Sequence, residues 1–146
     1  MTVALSGKEI AARLGQLFPA SITESDRDYI FVKPEALMKI IAFLKMTPEF
    51  DFDFLNSITA VDYFDYFDVV YHLSSMKQNR SLVVKTRVYG RDNLVVPSIV
   101  SIYQGADFQE REVYDLMGIR FEGHPNMKRI VLWDGFQGHP LRKDYL

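Results

Sequence analysis

Two alternating runs joined by a short polar stretch constrain this chain more than any other feature. From Phe67 to Leu73, the side chains of Phe67, Val69, Tyr71 and Leu73 fall on one face and Asp68, Val70 and His72 on the other. From Leu82 to Val88, Leu82, Val84, Thr86 and Val88 oppose Val83, Lys85 and Arg87. Successive residues of an extended chain point to opposite sides, so a period of two marks a strand with one buried face. Met76 to Arg80 is polar enough for a turn, which predicts an antiparallel hairpin.

Helices are predicted to cover that hairpin. Ser6-Gly7-Lys8-Glu9 has the spacing of a capping box, followed by Ile10, Leu14, Leu17 and Phe18 at helical intervals up to Pro19. Ile22 to Val32 suits a second hairpin that turns within Glu24 to Asp28. Pro34 opens another helix, with Leu37, Ile40, Ile41 and Leu44 as its buried stripe. Pro97-Ser98 is expected to start a short helix through Tyr103, and Asp107, with Glu110 three residues on, to cap one that runs to Met117 and stops at Gly118. Beyond Gly118 the chain is irregular apart from an expected strand at Arg129–Trp133. These elements predict an α+β fold of two layers, an antiparallel or mixed sheet with helices on one face, in one domain: residues 1–96 as core, then helices and a turn-rich segment over 97–146.

Composition removes several function classes. No cysteine is present, so thiolate ligation of an iron–sulfur cluster, a Cys-type zinc site and a thiol nucleophile are excluded. A net charge of −2, from 17 basic and 19 acidic residues spread along the chain, offers no field for nucleic acid. No apolar run reaches the length of a membrane span, Met1–Leu17 lacks the order of a signal peptide, and a basic amphipathic helix is missing. A cytosolic or peripheral chain is expected. Neither a nucleotide-binding glycine motif nor a nucleophile elbow occurs.

Four acids and an arginine crowd residues 107–115. Arg111 and Asp115 are four apart and able to pair on a helix surface, with Val113, Leu116 and Met117 as the buried stripe. The plain reading is a solvated charged face; the functional one is that Glu110, Arg111 and Glu112 meet charges on a partner. Glu110 and Glu112 as an acid–base pair is disfavoured, because residues two apart on a helix point different ways. Gly123-His124-Pro125 and Gly138-His139-Pro140 read as rigid corners whose imidazoles bond nearby backbone. The rival reading is a metal site of His124, His139 and a carboxylate such as Asp134, at a spacing unlike compact ligand motifs. His72 is expected at the surface, and Asp62, Asp65 and Asp68 in a solvated turn.

The run Glu110-Arg111-Glu112-Val113-Tyr114-Asp115-Leu116-Met117-Gly118-Ile119, then Phe121-Glu122-Gly123-His124-Pro125 and Lys128-Arg129-Ile130, closely resembles the signature of the C-type subunit of bacterial NADH-quinone oxidoreductase, respiratory complex I. Gly138-His139-Pro140-Leu141-Arg142-Lys143-Asp144-Tyr145 is similar to that family's closing motif. Thr59-Ala60-Val61-Asp62, Val70-Tyr71-His72-Leu73, Pro97-Ser98 and Ala106-Asp107-Phe108 extend the likeness over most of the chain. Two departures stand out: Phe108 where the family often has Trp, and an end at Leu146 where many relatives continue into a tail.

The resemblance implies a scaffold of the hydrophilic arm, peripheral on the cytoplasmic side of the inner membrane. It implies no catalytic, cofactor or metal residue in this chain, with NADH, FMN, quinone and iron–sulfur clusters held by other subunits. It also implies a C-terminal docking segment, with Glu110, Arg111, Glu112, Asp115, Gly118, His124, Pro125, Lys128, Arg129, His139, Pro140, Arg142, Lys143 and Asp144 at the interface with a hydrogenase-like large subunit and cluster-bearing partners. Subunits of energy-converting hydrogenases and of complexes fed by ferredoxin or reduced deazaflavin share much of this signature, which leaves the electron donor open.

Overall fold

The computed structural model describes residues 3–4 and 7–145. Its elements are β1 (Val3–Ala4), α1 (Gly7–Leu17), β2 (Ile22–Ser25), β3 (Tyr29–Val32), α2 (Pro34–Met46), β4 (Phe54–Asp62), β5 (Tyr66–Ser75), β6 (Arg80–Tyr89), β7 (Val95–Pro97), α3 (Ala106–Met117) and β8 (Arg120–Glu122). The two alternating runs are β5 and β6, antiparallel from Tyr66 opposite Tyr89 to Ser75 opposite Arg80. They sit in the middle of a mixed sheet ordered β2-β3-β6-β5-β4, where β3 and the short β1 run parallel to β6.

The inner face of this sheet and two helices share one apolar cluster. Ile10 and Leu14 of α1 and Leu37, Ile40, Ile41 and Leu44 of α2 pack with Ile30, Val32, Tyr71, Leu73, Leu82 and Val84. Burying each such aliphatic side chain is worth about 1.5–3 kcal/mol, so this layer dominates the fold's stability. α2 begins as its sequence dictates: Lys33 is extended, as a residue before proline must be, and Pro34 takes the first helical position. At the start of α1, Gly7 donates its N–H to the Arg27 carbonyl at 2.9 Å. A Cβ there would lie 2.1 Å from the Asp26 carbonyl, so only glycine lets the helix approach the β2–β3 turn. Ser6, the expected cap, lies outside the described residues.

Several sequence expectations change. Pro97 opens no helix; it closes β7, which pairs in parallel with β8, and residues 98–105 are turns leading into α3. A proline with no N–H to donate is tolerated in such an edge strand. Arg129–Trp133 is not a strand, because its amides are claimed by a side chain instead of a neighbouring strand. β5 buries both faces apart from His72: Asp68 and Val70 are also inside. Asp68 is kept there by Arg87, whose guanidinium bonds both carboxylate oxygens at 2.7 and 3.1 Å and lies over the Phe31 and Tyr66 rings. Asp62 is likewise buried, so of the three aspartates only Asp65 belongs to a solvated turn.

α3 lies along β4, the edge strand of the sheet. Gln109 Oε1 accepts the Ile58 N–H at 2.5 Å, covering an edge amide that no strand pairs. Helix and sheet are thereby joined by backbone recognition as well as by Val113 and Met117, which face the apolar cluster.

Candidate functional site

α3 carries the charge-dense run, and its acids point inward. Asp107 does not cap the helix; Gly105 occupies the cap position without a side-chain bond, and Asp107 stands in the first turn. Glu110 is fully buried, its carboxylate accepting the Ser98 hydroxyl at 2.5 Å and the Ile99 amide at 2.8 Å. Burial pushes this carboxyl above its ordinary range, and the two donors only partly offset that. Glu110 therefore ties the turns after β7 to the helix that follows.

Asp115, further along α3 and also fully buried, organises the irregular segment. Its Oδ2 accepts the amides of Ile130, Val131 and Leu132 at 3.2, 2.8 and 2.8 Å. Its Oδ1 takes Nη1 of Arg129 at 2.6 Å. Burial opposes ionisation here, but the Leu132 amide, the Arg129 guanidinium and the other two amides outweigh it and hold the carboxyl below the usual range. The Asp115 backbone carbonyl also accepts His139 Nδ1 at 2.9 Å, and Arg129 reaches on to the carbonyls of Phe136 and Gly138 at 3.0 and 2.8 Å. The expected Arg111–Asp115 pair does not form. Arg111 instead donates to the carbonyls of Lys128 and Arg129 at 3.1 and 3.0 Å.

A second buried carboxylate secures the end of the segment. Asp62, at the end of β4, binds Arg91 through both oxygens at 2.5 and 2.9 Å and accepts the amides of Phe64 and Lys143, each at 2.8 Å. Arg91, foremost, and these amides hold its carboxyl far below the usual range despite burial. Arg91 also pairs with Asp144 at 2.9 Å, and Arg142 donates to the Arg91 carbonyl. Sequence reasoning noticed Asp62 but missed Arg91, which carries no local signal of its partner.

Both Gly-His-Pro triplets are corners, with Gly123 and Gly138 at φ 93° and 84°. His124 Nδ1 accepts the Asn126 amide at 2.9 Å, so its proton sits on Nε2, which faces the Asp107 carbonyl and carboxylate at 3.1 and 3.0 Å. Both nitrogens of His124 and one of His139 thus have partners within the chain, and among the described residues no group of three His, Cys, Asp or Glu is placed to hold a metal. A cleft of about 650 Å³ lies on another part of the surface, lined by His72, Asn56, Ser57 and Asn79, and includes neither histidine of the triplets.

Of the expected interface residues, Glu110, Asp115, Arg129, His124, His139 and Arg142 turn toward the chain's own backbone or charges. Gly118 ends α3 in the left-handed region against the His139 ring. Glu112, Pro125, Lys128, Lys143 and Asp144 are exposed, Arg111 and Pro140 partly so. The charged face expected to be solvated is largely an internal fastening. Chemically, the arrangement orders a backbone segment with fixed charges.

This defines a class: a helix-backed mixed sheet whose helix acids hold a long non-regular segment. A chain in the solved membrane-bound sulfane sulfur reductase, an archaeal respiratory membrane complex, shares the architecture with a TM-score of 0.77 and 26% identity, over 94% of this chain and 84% of that one. The family described as respiratory-chain NADH dehydrogenase, 30 Kd subunit, matches residues 30–146, and the chain belongs to it. The C-type subunit of the NADH-quinone oxidoreductase of Dinoroseobacter shibae is 43% identical over 99% of this chain and 69% of its own length. The mitochondrial NADH dehydrogenase [ubiquinone] iron-sulfur protein 3 of Candida albicans is 44% identical over 80% of this chain, which spans only 42% of that relative. Among the described residues no helix is long and apolar enough to cross a membrane.

Proposed function

We propose that this chain is a non-catalytic scaffold subunit of an NADH-quinone oxidoreductase. It sits peripherally in the hydrophilic arm, on the cytoplasmic side of the inner membrane, and docks the hydrogenase-like large subunit near the quinone site. NADH, FMN, quinone and the iron–sulfur clusters belong to its partners in this reading. The observation that carries it is the internal use of the family signature: Asp115 takes three consecutive amides and Arg129, so those charges mould a segment of the chain itself. A moulded, non-regular surface is what a docking subunit needs, since preorganisation lowers the cost of association.

The test is to tag the chain in its own organism, solubilise membranes gently and identify the proteins that purify with it. A hydrogenase-like large subunit with cluster-bearing and membrane partners is expected. Recovery of the chain alone, from membranes whose complex is otherwise intact, contradicts the reading. The likeness to the sulfane sulfur reductase chain favours a second reading, an equivalent subunit of a hydrogenase-related or ferredoxin-fed complex. The electron-input subunits recovered with the tag separate the two.

A further inference from the structure

The two Gly-His-Pro corners put their imidazoles to opposite uses. His139 presents Nδ1 to the Asp115 carbonyl at 2.9 Å. A carbonyl only accepts, so this nitrogen already carries a proton, and the bond survives when the ring becomes charged. His124 presents Nδ1 to the Asn126 amide at 2.9 Å. A backbone N–H only donates, so this nitrogen must keep its lone pair, and the bond exists only while the ring is neutral.

The other surroundings of His124 pull the opposite way. Its side chain is fully enclosed. Nε2 donates to the Asp107 carbonyl at 3.1 Å, and Asp107 Oδ1 lies 3.0 Å from the same nitrogen, enclosed and without a hydrogen bond of its own. A carboxylate oxygen in that position favours a charged ring. Glu110, fully buried three residues along α3, acts in the same sense: a charged His124 supports its ionised form, which Asp107 opposes. From the turns after β7, Ser98 and Ile99 bring only a hydroxyl and an amide, both to Glu110. The nearest charges along the chain on either side, Glu122 and Lys128, are exposed. Asn126 thus requires a neutral ring where the carboxyl groups of α3 favour a charged one.

We infer that His124 is a proton-sensitive latch: a second proton, taken from solvent onto Nδ1, sets N–H against the Asn126 N–H and frees the corner, while the ring stays on Asp107 as an ion pair. The latch goes beyond the scaffold reading and does not depend on it. Behind the corner, the His124 N–H is held by the Phe121 carbonyl at 3.2 Å; ahead of it, Arg111 holds the Lys128 carbonyl at 3.1 Å. The loosening is confined between these points, which makes a pH-dependent joint between β8 and the part of the segment moulded by Asp115.

The test follows the full chain by nuclear magnetic resonance between about pH 8 and 5, the range in which histidine changes charge. The imidazole signals of His124 and His139 are read together with amide exchange corrected for its intrinsic pH dependence. The Asn126 amide is expected to lose about two- to tenfold in protection, the worth of one hydrogen bond, with the midpoint of the His124 ring. The Leu141 amide, bound to the Leu116 carbonyl at 2.9 Å next to the second corner, is expected to keep its protection as His139 titrates. Asp107→Asn keeps an oxygen acceptor and removes the charge, and is expected to move the ring titration and the Asn126 step together to lower pH, which a merely structural role does not do. His124→Gln is expected to abolish the step. Constant Asn126 protection as the His124 ring becomes charged, or a ring that stays neutral until the sheet unfolds, overturns the latch. A step that persists in His124→Gln belongs to Glu110 and overturns it as well. Equal loss at Leu141 with the titration of His139 overturns the contrast between the corners on which the latch rests.

Discussion

The sheet layer and the segment from Glu122 to Tyr145 are built on opposite plans. In the sheet, Tyr71, Leu73 and Val84 lie in the apolar layer, and on the opposite face of β5 only His72 is exposed. In the segment no residue is fully buried; charged and backbone groups face inward to Asp115 and Asp62, while Val131, Trp133 and Leu141 face out. One region is held by area removed from water and the other by about a dozen directed bonds. The difference teaches that the segment has a shape without a core, and that this shape depends on very few groups.

The sharpest way to break the comparison is to remove Asp115. Asp115→Ala leaves three amides without their acceptor and the Arg129 guanidinium without its carboxylate, and losing one member of a buried pair costs about 3–5 kcal/mol. The loss is expected in the segment, as faster exchange at Ile130–Leu132, with the far-ultraviolet dichroism of the sheet retained. Leu73→Ala, in contrast, is expected to cost about 2–5 kcal/mol of global stability in urea unfolding and to loosen both regions together. Gly118→Ala comes next. It forces a side chain into φ 79°, worth about 1–2 kcal/mol, and brings a Cβ within 2.8 Å of the His139 ring. Thermal unfolding should fall modestly, while the Trp133 emission changes more than the sheet signal.

Acid separates the regions with the smallest intervention. Asp62 and Asp115 have folded pKa values below their unfolded value of about 3.9, so their stabilisation is complete above that pH and is lost as pH falls through the folded values. Glu110 has the opposite sign: its folded pKa is raised above about 4.3, so its contribution is full below that pH and lost as pH rises through the folded value. Acidification from neutral to about pH 4.3 therefore favours the fold at Glu110, by relieving the burial of its charge, and spares the segment where Asp62 and Asp115 hold it; below about 3.9 the segment loosens first. Trp133 is the chain's single tryptophan, so its fluorescence should change before the sheet's dichroism during acid titration. Coincident changes contradict the separation.

How much was legible from sequence follows the same division. The β5–β6 hairpin, the β2–β3 hairpin and the stripe of α2 were readable because each pattern repeats along the element that expresses it. β4 was not recognised as a strand: a bulge between Leu55 and Ser57 breaks its alternation, and α3 covers its edge. Pro97 misled because its strand partner, Glu122 in β8, lies far along the chain, beyond α3. Arg129–Trp133 looked like a strand because four apolar residues, Ile130, Val131, Leu132 and Trp133, follow one another there, yet the amides of the first three answer to Asp115. Family likeness drew attention to these charged residues, but whether a charge faces its own chain depends on contacts between distant residues. Glu110, Asp62 and Asp115 were therefore placed outside when they lie within.

The most direct test is native-state hydrogen exchange of the wild-type chain in low denaturant. The amides of Ile130, Val131 and Leu132 are compared with those of Tyr71 and Val84 in β5 and β6. The account predicts that the segment opens at a lower free energy, with a smaller denaturant dependence than the sheet, as a unit held on Asp115. If both sets exchange at the same free energy and with the same slope, the segment belongs to the core's cooperative unit, and a surface shaped separately by buried carboxylates is contradicted.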